Sequence, residues 1–160
     1  MTYQYQHSIE RKYAFEAGHY LPSHKGQCSR PHGHSYKVKV QIVAEGPEEL
    51  HLPGSEDPSS EGMLIDFKDL DEVIKPIIDL MDHHTLSNHL AREARYRDWP
   101  SHEMYFISGA TTAENLARHL CHAFDAALKG LRHSTQPRCR MVTVSETERN
   151  DATYINPLYV

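Results

Sequence analysis

The chain has little cysteine, no surplus of basic residues and no long apolar run, and each shortage closes off a class of protein. Only three cysteines, Cys28, Cys121 and Cys139, occur in 160 residues. Their odd number and wide spacing do not fit a disulfide framework and agree with a reducing compartment. Lys and Arg total 17 against 22 Asp and Glu, a formal net charge of -5. A nucleic-acid-binding domain usually shows a basic patch, so nucleic acid is not the expected partner. No apolar stretch approaches the roughly 18 residues of a membrane span. The opening MTYQYQHSIERKY carries no apolar signal region, which predicts a cytoplasmic protein. The length fits one domain over 1–160 with a sizeable core. There is no internal repeat.

Histidine is in excess, with 13 residues, and it is the commonest metal ligand and the usual proton carrier near neutral pH. Several (His7, His51, His102 and His133) read as ordinary surface residues. The others fall in a pattern that the predicted elements make meaningful. Residues 11–19 alternate, so Tyr13, Phe15, Ala17 and His19 share one face of a strand. Pro22, Gly26 and Pro31 make 20–31 a loop. Alternation resumes in HGHSYKVKVQIV, with His32, His34, Tyr36, Val38, Val40 and Ile42 on one face, and the two strands are expected to pair antiparallel. Residues 45–62 are acidic and rich in Pro, Gly and Ser, and read as a loop. Asp66 caps a helix whose stripe is Phe67, Leu70, Ile74, Ile77 and Met81, with Pro76 expected to kink it or displace its start. Residues 87–109 lack periodicity and read as a long connection. Thr111 with Glu114 forms a capping box for a second helix ending at Gly130. Strands at 139–147 and near the C-terminus complete an order β-β-α-α-β-β. This is an α+β fold, with a four-stranded antiparallel sheet carrying two helices on one face.

His32 and His34 leave the same side of their strand, and His19 ends the preceding strand on its aromatic face. If the strands pair, three imidazoles converge. Three neutral nitrogens suit Zn²⁺ with the fourth tetrahedral position open, the arrangement of a catalytic rather than a structural site. The same pattern also fits strand histidines bonded to backbone. Cys28, four residues before His32, is a fourth ligand, a proton-transferring thiolate or a free loop thiol. Asp82 beside His83 in MDHHTL can orient an imidazole, or else the histidines answer a helix dipole. Glu146 lies in phase with Val142 and Val144, so it is either directed at the core, where a carboxylate needs a two-donor partner such as an aminopyrimidine, or faces water at a sheet edge. Thr111 and Thr112 are caps whose hydroxyls can face a pocket.

Together these residues resemble the family of 6-pyruvoyl-tetrahydropterin synthases and 6-carboxytetrahydropterin synthases. The likeness runs nearly end to end: FEAGH at 15–19, CSRPHGHSY at 28–36, GMLIDF at 62–67, MDHHTL at 81–86, TTAEN at 111–115 and SET at 145–147. The spacing C-x-x-x-H-G-H is similar to that of the bacterial 6-carboxytetrahydropterin synthases. The resemblance implies the tunnelling fold, in which sheets of several subunits close a barrel and two trimers stack into a homohexamer. It implies zinc held by His19, His32 and His34. Cys28 is then the base, with Asp82 and His83 as its relay from a neighbouring subunit, and Glu146, Thr111 and Thr112 hold the pterin. The implied reaction converts 7,8-dihydroneopterin triphosphate to 6-carboxytetrahydropterin, acetaldehyde and triphosphate, for queuosine. The pyruvoyl product, a zinc or pterin binder without turnover, and a structural zinc domain are the alternatives. Arg30 and Lys25 are candidates for the triphosphate. Two features depart from the family pattern: the insertion REARYRDWPSHEMYF and the extended acidic loop.

Overall fold

The computed structural model describes residues 7–44, 62–88, 103–131, 133 and 135–159. The acidic loop over 45–61 and the stretch 89–102, which holds most of the insertion, lie outside the described residues, as do the predicted surface positions His51 and His102.

The architecture is α+β. Strands β1 (Ser8–His19) and β2 (His32–Ala44) form a long antiparallel pair in which His19 faces His32, Ala17 faces His34 and Phe15 faces Tyr36. This register follows from the alternation: slipping by one residue would turn Phe15, Tyr36, Val38 and Val40 away from the core. Those four side chains are buried. Strand β5 (Pro137–Thr147) pairs antiparallel with β2, and β6 (Asn150–Ile155) with β5.

The sheet has six strands rather than four. Two short strands, β3 (His84–Asn88) and β4 (Met104–Ile107), extend it in the order β4-β3-β1-β2-β5-β6, and both of their pairings are parallel. The sheet is therefore mixed, and the stretch that reads as a structureless connection, 87–109, contains β4 and the end of β3. Strands of five and four residues have too few positions to display a period, and their partners lie far away in sequence.

Helix α1 (Phe67–Asp79) starts as expected, with the Lys68 N–H donating to Asp66 Oδ1 at 2.7 Å. Pro76 sits inside it. Its buried stripe is Leu70, Ile74 and Ile78, one residue off the predicted Ile77, while Phe67 is left exposed against the Arg11 guanidinium. Arg11 Nε donates to Asp71 Oδ1 at 3.0 Å and the Tyr13 hydroxyl to the same oxygen at 2.8 Å, tying α1 to β1.

Helix α2 (Ala113–Lys129) corrects the predicted cap. Thr112 is the N-cap and accepts from the Asn115 N–H at 3.4 Å. Thr111 is buried and its hydroxyl donates to the Tyr20 carbonyl at 3.2 Å. Two adjacent threonines fit a cap equally well in local terms, and a tertiary bond claims the first. Leu116, Leu120, Phe124 and Leu128 bury the α2 face in the same cluster as Val142 and Val144. Cys121 and Cys139 are free thiols, buried 3.6 Å apart. No described helix is long and apolar enough to cross a membrane.

Candidate metal centre and active site

The β1–β2 pairing places His19, His32 and His34 on one side of the sheet with ring centroids 4.5, 5.1 and 5.0 Å apart. Each contributes one ring nitrogen to a set lying within 4.8 Å of one another. Gly33, between the two β2 histidines, passes close to β1: a Cβ there would sit 3.2 Å from the Ala17 carbonyl oxygen.

Hydrogen bonds divide the nitrogens by role. His19 Nδ1 lies 2.7 Å from the Thr111 carbonyl oxygen and His32 Nδ1 lies 2.7 Å from that of Arg30. A carbonyl accepts only, so each of these Nδ1 atoms carries the proton and each Nε2 keeps its lone pair. The Nε2 atoms of His19 and His34 are buried with no hydrogen-bond partner. Buried polar atoms without partners are rare. A dication bound among them would satisfy both, so the residues present fit zinc.

Burial pushes the His19 imidazole down to about 4, with His32 and His34 adding to the effect against the Thr111 carbonyl. An unfolded histidine titrates near 6.5, so below that value the unfolded chain takes up a proton that the folded chain refuses. This contribution to metal-free stability is complete above about pH 6.5, declines as pH falls toward about 4, and changes no further beneath it. Denaturation midpoints of the metal-free protein across this window are expected to fall more steeply than those of His19→Gln. Parallel curves for the two proteins would contradict it.

Cys28 lies in a 3-10 turn, Gln27–Ser29, and is half-buried. It is not in the set of converging donors. Of the two triphosphate candidates, Arg30 contributes its carbonyl to His32, and Lys25 is exposed in the same loop.

Glu146 extends from β5 onto the histidine side, its Oε1 4.0 Å from His19 Nε2 and its side chain 22% exposed. Thr111 and Thr112 line a cavity of about 400 Å³ with Leu21, His24, Ser87 and Asn88. Glu146 and the three histidines are not in that wall.

Asp82 and His83 stand elsewhere. They occupy the turn before β3, with His83 Nδ1 2.8 Å from Asp82 Oδ2. Glu16 of β1 holds them: its N–H donates to Asp82 Oδ1 at 2.8 Å, and its carbonyl accepts from the His83 N–H at 2.6 Å. The Glu16 N–H and His83 keep the Asp82 carboxyl below its usual range. His83 adopts a left-handed backbone, φ 58°, which is uncommon outside glycine. It lines a hollow of about 350 Å³ with Glu16, Ser35 and Thr85, and also with Ala17 and His34. Glu16 and Ser35 project from the exposed side of their strands, opposite to His19 and Tyr36. One chain thus brings the histidines and Glu146 together, while the Glu16 backbone holds the Asp82–His83 pair outside that set of converging donors. The role of Glu16 as a clamp has no signal in the sequence, because its bonds to the pair are made by the backbone.

A family model described as 6-pyruvoyl tetrahydropterin synthase matches residues 8–157. A Haemophilus influenzae protein named 6-carboxy-5,6,7,8-tetrahydropterin synthase is 27% identical over 151 residues, covering 91% of this chain and 96% of its own length. A Synechocystis protein of the same name is 36% identical over 87 residues, covering 54% of this chain and 62% of that protein, which is under two thirds of its length. The solved structure of Caenorhabditis elegans 6-pyruvoyl tetrahydropterin synthase superposes with a TM-score of 0.60 at 25% identity, covering 93% of this chain and 94% of that one.

Proposed function

The chain belongs to the 6-pyruvoyl tetrahydropterin synthase family, and from that premise we propose that it is a zinc-dependent 6-carboxy-5,6,7,8-tetrahydropterin synthase. It converts 7,8-dihydroneopterin triphosphate, with one water, to 6-carboxytetrahydropterin, acetaldehyde and triphosphate, as a step toward queuosine. The observation that carries this reading is the set of converging histidine nitrogens, two of them buried and unpartnered, with the Glu146 carboxylate beside them. The names of the Haemophilus and Synechocystis relatives support the carboxy product.

His19, His32 and His34 would hold the metal, the first two in the tautomers that the Thr111 and Arg30 carbonyls impose. Zinc bound there supplies Lewis acidity toward the oxygens of the substrate side chain. The Glu146 carboxylate accepts hydrogen bonds from the 2-amino and N3–H groups of the pterin and fixes its register, with Thr111 and Thr112 beside it. Cys28, as thiolate, takes the proton from the side-chain carbon next to the ring. Asp82 orients His83, which moves a proton at a side-chain hydroxyl. That pair is not among the donors that converge in its own chain, and we read it as serving the site of a neighbouring copy in a homohexamer of two stacked trimers. The site is completed only by assembly.

The C. elegans relative's name favours a second reading, in which the same residues eliminate triphosphate and yield the 6-pyruvoyl product. Incubating zinc-loaded protein with 7,8-dihydroneopterin triphosphate and identifying products by mass separates the two. Acetaldehyde with a carboxylated pterin supports the first reading, and a pyruvoyl pterin without acetaldehyde supports the second. No conversion of either kind would reject both. Glu146→Gln is expected to weaken pterin binding about tenfold or more, since it removes the charge and one acceptor. Unchanged affinity in a fluorescence titration would reject the anchor role.

A further inference from the structure

We infer that Tyr36 is a positioning residue whose hydroxyl donates to the Glu146 carboxylate in the ligand-loaded site and fixes how that carboxylate meets the ligand. The inference rests on the reading of Glu146 as the ligand's anchor.

Three buried polar atoms without partners belong to one patch of the sheet: His19 Nε2, His34 Nε2 and the Tyr36 hydroxyl. A metal accounts for the two nitrogens and leaves the hydroxyl. Tyr36 is 0% exposed. Its ring stacks on Phe15 with centroids 5.0 Å apart and planes 17° apart, and it meets His34 edge-on at 5.4 Å. Phenylalanine would keep both contacts without burying a polar atom. A hydroxyl left unbonded in such a place is a stability cost, so its retention calls for a partner that arrives later.

Register identifies the partner. Lys37 faces Ser145 across the β2–β5 ladder, so Tyr36 lies beside Glu146, on the histidine side of the sheet. The arrangement has two layers. Tyr36 is sealed off and cannot meet a ligand, whereas Glu146 is partly open and can. An ionised carboxylate offers about four lone-pair positions. Two serve the ligand's donors, and another receives the hydroxyl from beneath.

The test is a double-mutant cycle of Tyr36→Phe and Glu146→Gln, read by fluorescence titration with pterin itself, by bound zinc and by melting of the ligand-free protein. Tyr36→Phe is expected to keep its zinc and to melt at the same temperature or about 2–4 °C higher, because an unbonded buried hydroxyl is gone. It is expected to bind pterin about tenfold more weakly, and to cause no further loss in the Glu146→Gln background. Wild-type affinity in Tyr36→Phe, equal losses in both backgrounds, or loss of zinc would overturn the inference while leaving the anchor reading intact. Unchanged affinity in Glu146→Gln alone would overturn the anchor reading, and this inference with it.

Discussion

Cys28→Ala is expected to retain one zinc per chain and the wild-type assembly while its turnover falls about 10²- to 10⁴-fold, the usual contribution of a positioned proton-transfer group. The fold tolerates the change. The turn that carries Cys28 is held by backbone bonds, Leu21 N–H to the Cys28 carbonyl at 2.8 Å and Arg30 N–H to the Gln27 carbonyl at 2.9 Å, which alanine preserves. The ring nitrogens converge without the thiol. Turnover and zinc content measured on the same preparation separate the roles open to this residue. Loss of zinc together with activity would make Cys28 a ligand and the site a closed one. Full activity would remove it as the base.

The second large effect is restoration rather than loss. Cys28→Ala and His83→Ala are each expected to be nearly inactive, yet oligomers assembled from a mixture of the two are expected to recover activity. If each site takes Cys28 from one chain and His83 from another, random mixing leaves about a quarter of sites with both groups intact. If both come from one chain, no site is intact. The expectation follows from where the pair is held: Glu16 binds Asp82 and His83 by its backbone, and neither belongs to the set of donors that converge with His19, His32 and His34. Turnover per chain after co-refolding measures the fraction directly. Mixtures as inactive as their parents would assign the pair to the chain that carries it, or to no catalytic role.

These expectations were legible in the sequence to different degrees. The phase of the alternation alone puts His19, His32, His34 and Glu146 on one side, since a strand has only two faces and the apolar positions say which is buried. Cysteine scarcity likewise foreshadows the free thiols. The sheet beyond β1 was not legible. Strands β3 and β4 are too short to show a period, and each is defined by a parallel partner that the local sequence does not encode. The loss of the expected capping role by Thr111 depends on the Tyr20 carbonyl, 91 residues away in sequence. The placement of Asp82 and His83 depends on a turn whose left-handed residue is a histidine rather than a glycine. Pattern reading therefore finds side chains that share an element or an adjacent pair. It misses those that non-local backbone bonds position.

The metal centre decides most of the account, and X-ray absorption at the zinc edge of the loaded protein tests it directly. The expected spectrum has three imidazole nitrogens and one oxygen at about 2.0–2.2 Å, with no sulfur shell near 2.3 Å. A sulfur in the first shell, or fewer than three imidazoles, would contradict it.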